Sequence, residues 1–278
     1  MTDQPDPPDR PLAGRAVVVT RSRAQAPKLA EQLSRLGAVV VELPVISIEA
    51  PADQGQGLDR AAHRLASGAY QWVACTSSNA VARLMAALGG RAVPDTVRWA
   101  AVGPGTADAL SAAGLVPDLV PEVALAEALV GEFPPAGGPE SVDGGPGTVL
   151  FPRAEVVRVD LATGLRAKGW LVDEVVAYRT VSVAPGLTAV AAAGRADAVA
   201  FTSSSTVRNT VELMGVEGLP PVVVTIGPVT SGEARAAGVE VTGEADPHTI
   251  DGLVQALVQA LGGDRFVGDG RGQPDGQQ

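Results

Sequence analysis

Trp72-Val-Ala-Cys-Thr-Ser-Ser-Asn79 and Ala198-Val-Ala-Phe-Thr-Ser-Ser-Ser205 are near copies of one another. Each begins as a short apolar strand, turns through Thr-Ser-Ser and leads into a helical pattern. Downstream, each is answered by a second matched stretch, Val102-Gly-Pro-Gly-Thr106 and Ile226-Gly-Pro-Val-Thr230, and then by Ala112-Ala-Gly114 and Ala236-Ala-Gly238. Upstream, Thr20-Arg21 corresponds to Pro152-Arg153, Leu36-Gly37 to Lys168-Gly169 and Glu42 to Glu174. The repeating unit therefore has a strand–helix–strand arm and a strand–loop–helix body. Solenoids need at least about three repeats to stack, so a two-fold repeat implies two similar domains facing one ligand.

Strands and helices alternate around these loops. Ala16-Val-Val-Val-Thr20 is a buried strand, and Pro27 suits the first turn of the helix that carries Leu29, Leu33 and Leu36. Gly37 ends that helix as a left-handed cap, and Val39-Val-Val41 is the next strand. Helical stripes recur at Val81, Leu84, Met85 and Leu88, at Val157, Leu161 and Leu165, and from Ile250 to Leu261. Continuous apolar strands between helices imply parallel sheets covered on both faces. The expected fold is α/β, with two doubly wound parallel-sheet domains. Leu43-Pro-Val-Ile-Ser-Ile48 and Val175-Val-Ala-Tyr-Arg-Thr-Val181 are extended segments that end the two arms. Arms that keep their own bodies need one linker; arms that are exchanged make both segments cross as a two-stranded ribbon. The residues alone leave both open. Residues 1–13 and 263–278 are expected to be disordered tails, and 134–147 a flexible Gly/Pro-rich loop.

Composition narrows the function. The 278 residues are 46% apolar with only 3% aromatic, enough for two cores packed from small side chains. A net charge of −10 argues against nucleic acid as a partner. The single cysteine, Cys75, excludes an internal disulfide and fits a reducing cytoplasm. The acidic, proline-rich start is unlike a signal peptide, and no apolar run approaches the ~20 residues of a membrane span.

In open α/β sheets ligands bind beyond the carboxyl ends of the strands, where all four matched loops fall. Hydroxyls and free N–H groups at helix N-termini form a neutral donor surface suited to carboxylate or phosphate. This points to Thr76, Ser77, Ser78, Gly103 and Thr106 in one domain, and to Thr20, Thr202, Ser203, Ser204, Gly227 and Thr230 in the other. The glycines are expected either to let backbone approach a ligand or to adopt positive φ. Arg21 and Arg153, at equivalent positions after strands, can meet a carboxylate in bidentate fashion, and Arg179 is a third candidate. Arg83 and Arg208 read as solvated helix residues, and Cys75 as a small core residue. His63 and His248 are isolated, so no metal site is expected. No G-x-S-x-G elbow, G-x-G-x-x-G or Walker sequence is present. Tyr178, one of two tyrosines, lies in an extended segment where a phenol can donate a proton.

Taken together and in order, Val18-Val-Thr-Arg21, Leu43-Pro-Val-Ile46, Thr76-Ser-Ser-Asn79, Val102-Gly-Pro-Gly-Thr106, Phe151-Pro-Arg153, Val175-Val-Ala-Tyr-Arg-Thr180, Phe201-Thr-Ser-Ser204 and Ile226-Gly-Pro-Val-Thr230 resemble the uroporphyrinogen-III synthase family over nearly all of residues 14–262. The resemblance implies the exchanged arrangement, with one domain from 1–46 plus 182–278, the other from 47–181, and a two-stranded linker ribbon. It implies a monomeric lyase of haem biosynthesis acting on hydroxymethylbilane, a linear tetrapyrrole with eight carboxylates. The substrate loses its hydroxyl to give an azafulvene cation, which attacks the substituted carbon of the last ring. A spiro intermediate then fragments and recloses with that ring inverted. Neither cofactor nor metal is implied, and transient contact with the preceding deaminase is. Tyr178 matches the tyrosine that assists departure of the hydroxyl. The competing reading is a non-catalytic two-lobed tetrapyrrole- or anion-binding regulatory homologue; a nucleotide-dependent transferase lacks its phosphate fingerprint.

Overall fold

The structure is a computed structural model, and it describes residues 10–137, 147–156 and 161–262. In chain order the first elements are β1 (Ala16–Val19), α1 (Ala26–Arg35), β2 (Val39–Glu42), β3 (Ile46–Glu49), α2 (Gln56–Ala66), β4 (Trp72–Cys75) and α3 (Ser78–Leu88). Then come β5 (Arg98–Ala101), α4 (Pro104–Ala112), α5 (Ala126–Glu132), β6 (Thr148–Ala154), α6 (Leu161–Ala167) and β7 (Leu171–Ser182). The last are α7 (Leu187–Ala193), β8 (Ala198–Phe201), α8 (Ser204–Met214), β9 (Val222–Thr225), α9 (Pro228–Ala236), β10 (Gly243–Glu244) and α10 (Ile250–Gly262).

The chain divides into two compact units. One comprises the described residues up to Val45 and from Ala184 onward; the other is Ile46–Val183. In the first, a five-stranded sheet runs β10-β9-β8-β1-β2 with every neighbouring pair parallel. In the second the order is β3-β7-β6-β4-β5, parallel except for β3. Val17 stands opposite Ala198 and Trp72 opposite Val149, so each arm pairs with the body of the other repeat. The antiparallel ribbon aligns Ile46 with Ser182 and Glu49 with Arg179, and β7 passes without a break from the sheet into it.

Local chemistry explains these elements. The runs Ala16–Val19, Trp72–Cys75 and Ala198–Phe201 are buried almost throughout, as a sheet covered by helices on both faces requires. In the first unit Val17, Val19, Leu29, Leu33, Leu253 and Leu257 share one core. The Asp197 carboxylate accepts the Ala16 N–H at 2.7 Å and pairs with Arg15 at 3.2 Å, fixing the start of β1 beside β8. Gly37 has φ +91° and its twin Gly169 φ +90°, the left-handed position that ends a helix cheaply only with glycine. In the second unit Val81, Leu84, Leu110 and Val175 pack on one face of the sheet and Phe133, Phe151, Leu161 and Leu165 on the other.

Two expectations about soft segments need correction. Arg10–Ala13 are not part of a disordered tail: Leu12 is fully buried and its N–H bonds the Leu36 carbonyl at 3.1 Å, because the apolar groove beside α1 needs a cover. The start of the 134–147 loop is likewise held. Trp170 Nε1 donates to the Pro134 carbonyl at 2.7 Å, and Ala136 N–H to that of Lys168 at 2.9 Å. Residues 1–9, 138–146, 157–160 and 263–278 lie outside the described residues, and with them Val157 of the expected helical stripe. Leu12→Ala is expected to cost about 2–5 kcal/mol in urea unfolding, as for other fully buried leucines; a flexible tail would give no change.

Candidate functional site

In the inserted unit the Thr-Ser-Ser loop meets Tyr178. Ser77 is the N-cap of α3, extended at φ −155° and ψ 149°, and its Oγ accepts the Ala80 N–H at 3.1 Å. The same oxygen lies 3.0 Å from the Tyr178 hydroxyl. A break in strand register makes that meeting possible. Along β6 and β7, Arg153 stands opposite Val176 but Ala154 opposite Tyr178, so one extra residue is inserted in β7. Regular alternation would send Tyr178 to the face of Val176. The bulge turns it instead into the core of Val175 and Ala177, with 7% of its surface exposed. The Glu155 N–H closes the irregularity by donating to the Tyr178 carbonyl at 2.9 Å.

The second unit of the repeat repeats the cap without the phenol. Ser203, N-cap of α8, accepts the Thr206 N–H at 3.4 Å, and its Oγ lies 3.0 Å from that of Ser205. In both units the Thr-Ser-Ser and Gly-Pro loops are neighbours: Val102 N–H donates to Cys75 and Ile226 N–H to Phe201, at 3.0 and 2.9 Å. Ser204 Oγ also reaches the Val229 carbonyl at 3.4 Å. The hydroxyls of Thr76, Ser78 and Thr202 are half-buried and make no hydrogen bond to other described residues.

Three of the predicted threonines are buried as residues, and one of them is bonded within the fold. Thr20 is fully buried and donates to the Ala200 carbonyl at 3.1 Å, so it joins strands and offers no hydroxyl to a ligand. Thr106 and Thr230 are buried in the first turns of α4 and α9, at 5% and 4% exposure. Gly103 and Gly227 cap those helices in extended backbone, at φ −178° and 165°, so positive φ is not their reason. A Cβ on Gly103 would lie 2.6 Å from that of Ala124; one on Gly227 would meet the His248 ring at 3.2 Å.

The equivalent arginines have parted company. Arg153 Nε pairs with Glu174 at 3.0 Å, and its Nη1 donates to the Ala154 and Glu155 carbonyls at 2.9 and 3.0 Å. Arg21 is half-buried and has no hydrogen-bond or carboxylate partner among the described residues. Burial lowers its pKa from the ordinary arginine value, since the charge has lost water without gaining a counter-ion. Arg179 pairs with Glu49 across the ribbon at 2.9 Å. Arg83 and Arg208, read as solvated, each have a partner: the Ile48 carbonyl at 3.0 Å and Glu233 at 3.4 Å.

Cys75 is fully buried, and burial pushes its thiol up to about 12, in keeping with a core role. Among the described residues no three His, Cys, Asp or Glu side chains are grouped to hold a metal, and no helix is long and apolar enough to cross a membrane. His248, isolated in the sequence, has Nδ1 2.7 Å from the Ala245 carbonyl and its ring beside Gly227. No local pattern announces that contact. A separate open groove of about 960 Å³ lies between α2 and β7; its Arg64 and Glu174 are paired with Asp173 and with Arg153 and Arg166.

Gly103→Ala is expected to be destabilising by about 1–3 kcal/mol through overpacking against Ala124. Gly105→Ala, in the same helix with open space around it, is expected to be neutral or slightly stabilising. Thermal unfolding of the two variants checks the contrast.

Comparison with known proteins bears on the whole chain. The profile of the Uroporphyrinogen-III synthase HemD family matches residues 27–255. A uroporphyrinogen-III synthase of Synechococcus elongatus is 33% identical over 269 residues, covering 90% of this chain and 97% of the relative. A porphyrin biosynthesis protein HemD of Ruminiclostridium josui is 28% identical, over 92% of this chain and 51% of its own length. Among solved structures, a mutant uroporphyrinogen III synthase of Thermus thermophilus superposes with a TM-score of 0.60 at 22% identity, over 90% of this chain and 100% of that one. The Helicobacter pylori uroporphyrinogen-III synthetase does so with 0.55 at 17% identity, over 88% and 99%. A profile match across most of the sequence, joined to a curated relative aligned nearly end to end, settles descent: the chain belongs to the uroporphyrinogen-III synthase family.

Proposed function

We infer that this chain cyclises hydroxymethylbilane to uroporphyrinogen III with loss of water and inversion of the last ring, and that Tyr178 supplies the proton for that loss. Membership of the family carries the activity. The observation that carries the residue is the Tyr178 hydroxyl, 3.0 Å from the N-cap side-chain oxygen of α3 and brought there by the bulge within β7. A phenol there can protonate the hydroxyl as the C–O bond breaks; the electron pair leaves with water and the pyrrole nitrogen supports the resulting cation. Closure of the macrocycle releases a proton from carbon, which returns to the phenolate. Without a catalyst the bilane closes to the non-inverted isomer, so the protein's main contribution is to orient the reacting ends.

The substrate's carboxylates set the binding problem. At a net charge of −10 the chain repels a polyanion at long range. Local donors must therefore hold it, and screening confines the repulsion to roughly 8–10 Å at physiological salt. Within one unit the half-buried Thr76 and Ser78, and within the other Thr202 and Arg21, which has no partner among the described residues, are each suited to that task. The chemistry of Arg21 supports it most directly, because a partly desolvated guanidinium gains most from an incoming carboxylate. Arg153, already paired with Glu174 and bonded to two carbonyls, is a weaker candidate. The non-catalytic alternative is not favoured.

Freshly generated hydroxymethylbilane supplied to the purified protein is expected to yield the type III isomer; type I product alone would overturn the assignment. Tyr178→Phe is expected to lower kcat by ~100-fold or more with thermal stability near the parent's, and an unchanged rate would remove Tyr178 from the chemistry. Arg21→Ala is expected to raise KM about 10- to 100-fold, with Arg21→Lys intermediate. The corresponding Arg153 change is expected to act on stability more than on KM.

A further inference from the structure

We propose that Ser77 is a positioning residue for the reaction: its hydroxyl donates to the phenolic oxygen of Tyr178, leaving the phenol's own proton free for the departing oxygen of the substrate. The proposal rests on the reading of Tyr178 as the acid. A hydroxyl group has one proton and can accept twice. Ser77 Oγ already accepts the Ala80 N–H, which fixes its rotamer. The bond to Tyr178 at 3.0 Å then has two senses. If the phenol donates to Ser77, its proton is spent and cannot reach the substrate. If Ser77 donates, the phenol proton points away from the loop, and the phenolate formed on transfer keeps a hydrogen bond.

The setting favours the second sense as charge develops. Ser77 stands at the head of α3, a helix of 11 residues, whose positive end stabilises a nearby anion. The Tyr178 ring is held in the core of Val81, Leu84 and Val175, so its position is set by packing and only the direction of its hydroxyl remains to be chosen. The duplicated loop provides an internal comparison. Ser203 makes the same kind of cap bond to α8, but its second contact is Ser205. Capping is therefore common to both loops, and the contact with a phenol belongs to Ser77.

Balance is preserved through the step. The Tyr178 proton joins the hydroxymethyl oxygen, the C–O bond breaks, and water leaves with the bonding pair. The pyrrole nitrogen lone pair makes the azafulvene cation, and Ser77 O–H holds the phenolate until the proton lost from carbon on closure returns to it. Nothing but substrate enters, and only macrocycle and water leave.

Two measurements on the full chain test this. In the isomer-resolved assay, Ser77→Ala is expected to lower kcat roughly tenfold with little change in KM, and Ser77→Thr to restore most of it. In a double-mutant cycle, Ser77→Ala is expected to add nothing further once Tyr178 is Phe. Full turnover by Tyr178→Phe would overturn the reading of the acid. A slow Tyr178→Phe combined with additive losses, or with a Ser77→Ala effect confined to KM, would overturn the role of Ser77 alone.

Discussion

Neither half of this chain can complete a sheet by itself. The central strand β1 has β2 on one side, but its other edge is satisfied only by β8, far along the sequence. The same holds for β6, which needs β4. A parallel strand buried on both faces cannot leave its N–H and C=O groups unpaired. This requirement makes the chain leave the first unit at Val45 and return to it at Ala184. It also makes β7 long, because one strand completes the sheet beside β6 and then pairs with β3.

The length of β7 bears on the placement of Tyr178. A strand that serves two partners changes register where they hand over, and here the slip falls just before Tyr178. The ring is thereby buried while the hydroxyl meets the head of α3. The proposed acid is thus seated on regular structure and aimed by a single irregular residue. Duplication supplied two copies of the loop, and the bulge differentiates them.

Much of the fold was legible because it is written locally. Apolar runs, Pro27, the serine caps and Gly37 each act within a few residues, and the internal repeat exposed the two-domain plan. The matched loops did come together in each unit, because both follow neighbouring strands. What was not legible depends on pairing. The register slip is a property of two strands, so Tyr178 alone could be flagged but not Ser77 as its partner. Arg21 and Arg153 look equivalent in sequence, as do Glu42 and Glu174. Yet Glu174 pairs with Arg153, while Glu42 ends an exposed edge strand and Arg21 has no partner among the described residues. Of the two reasons expected for Gly103 and Gly227, positive φ does not apply, and close neighbours exclude a side chain at both. Thr20, Thr106 and Thr230 are buried, which depends on packing that the loop pattern does not record.

The exchanged pairing also sets a timetable for synthesis. On the ribosome, β1, α1 and β2 emerge first, yet the strand that must lie against β1 is β8. All of Ile46–Val183 is translated in between, and that segment holds every strand of its own sheet. Since domains generally fold as units during synthesis, the later-made segment is complete before the earlier-made one. The amino-terminal arm waits as a half-formed layer with an open edge, which makes it the part of the nascent chain most in need of protection.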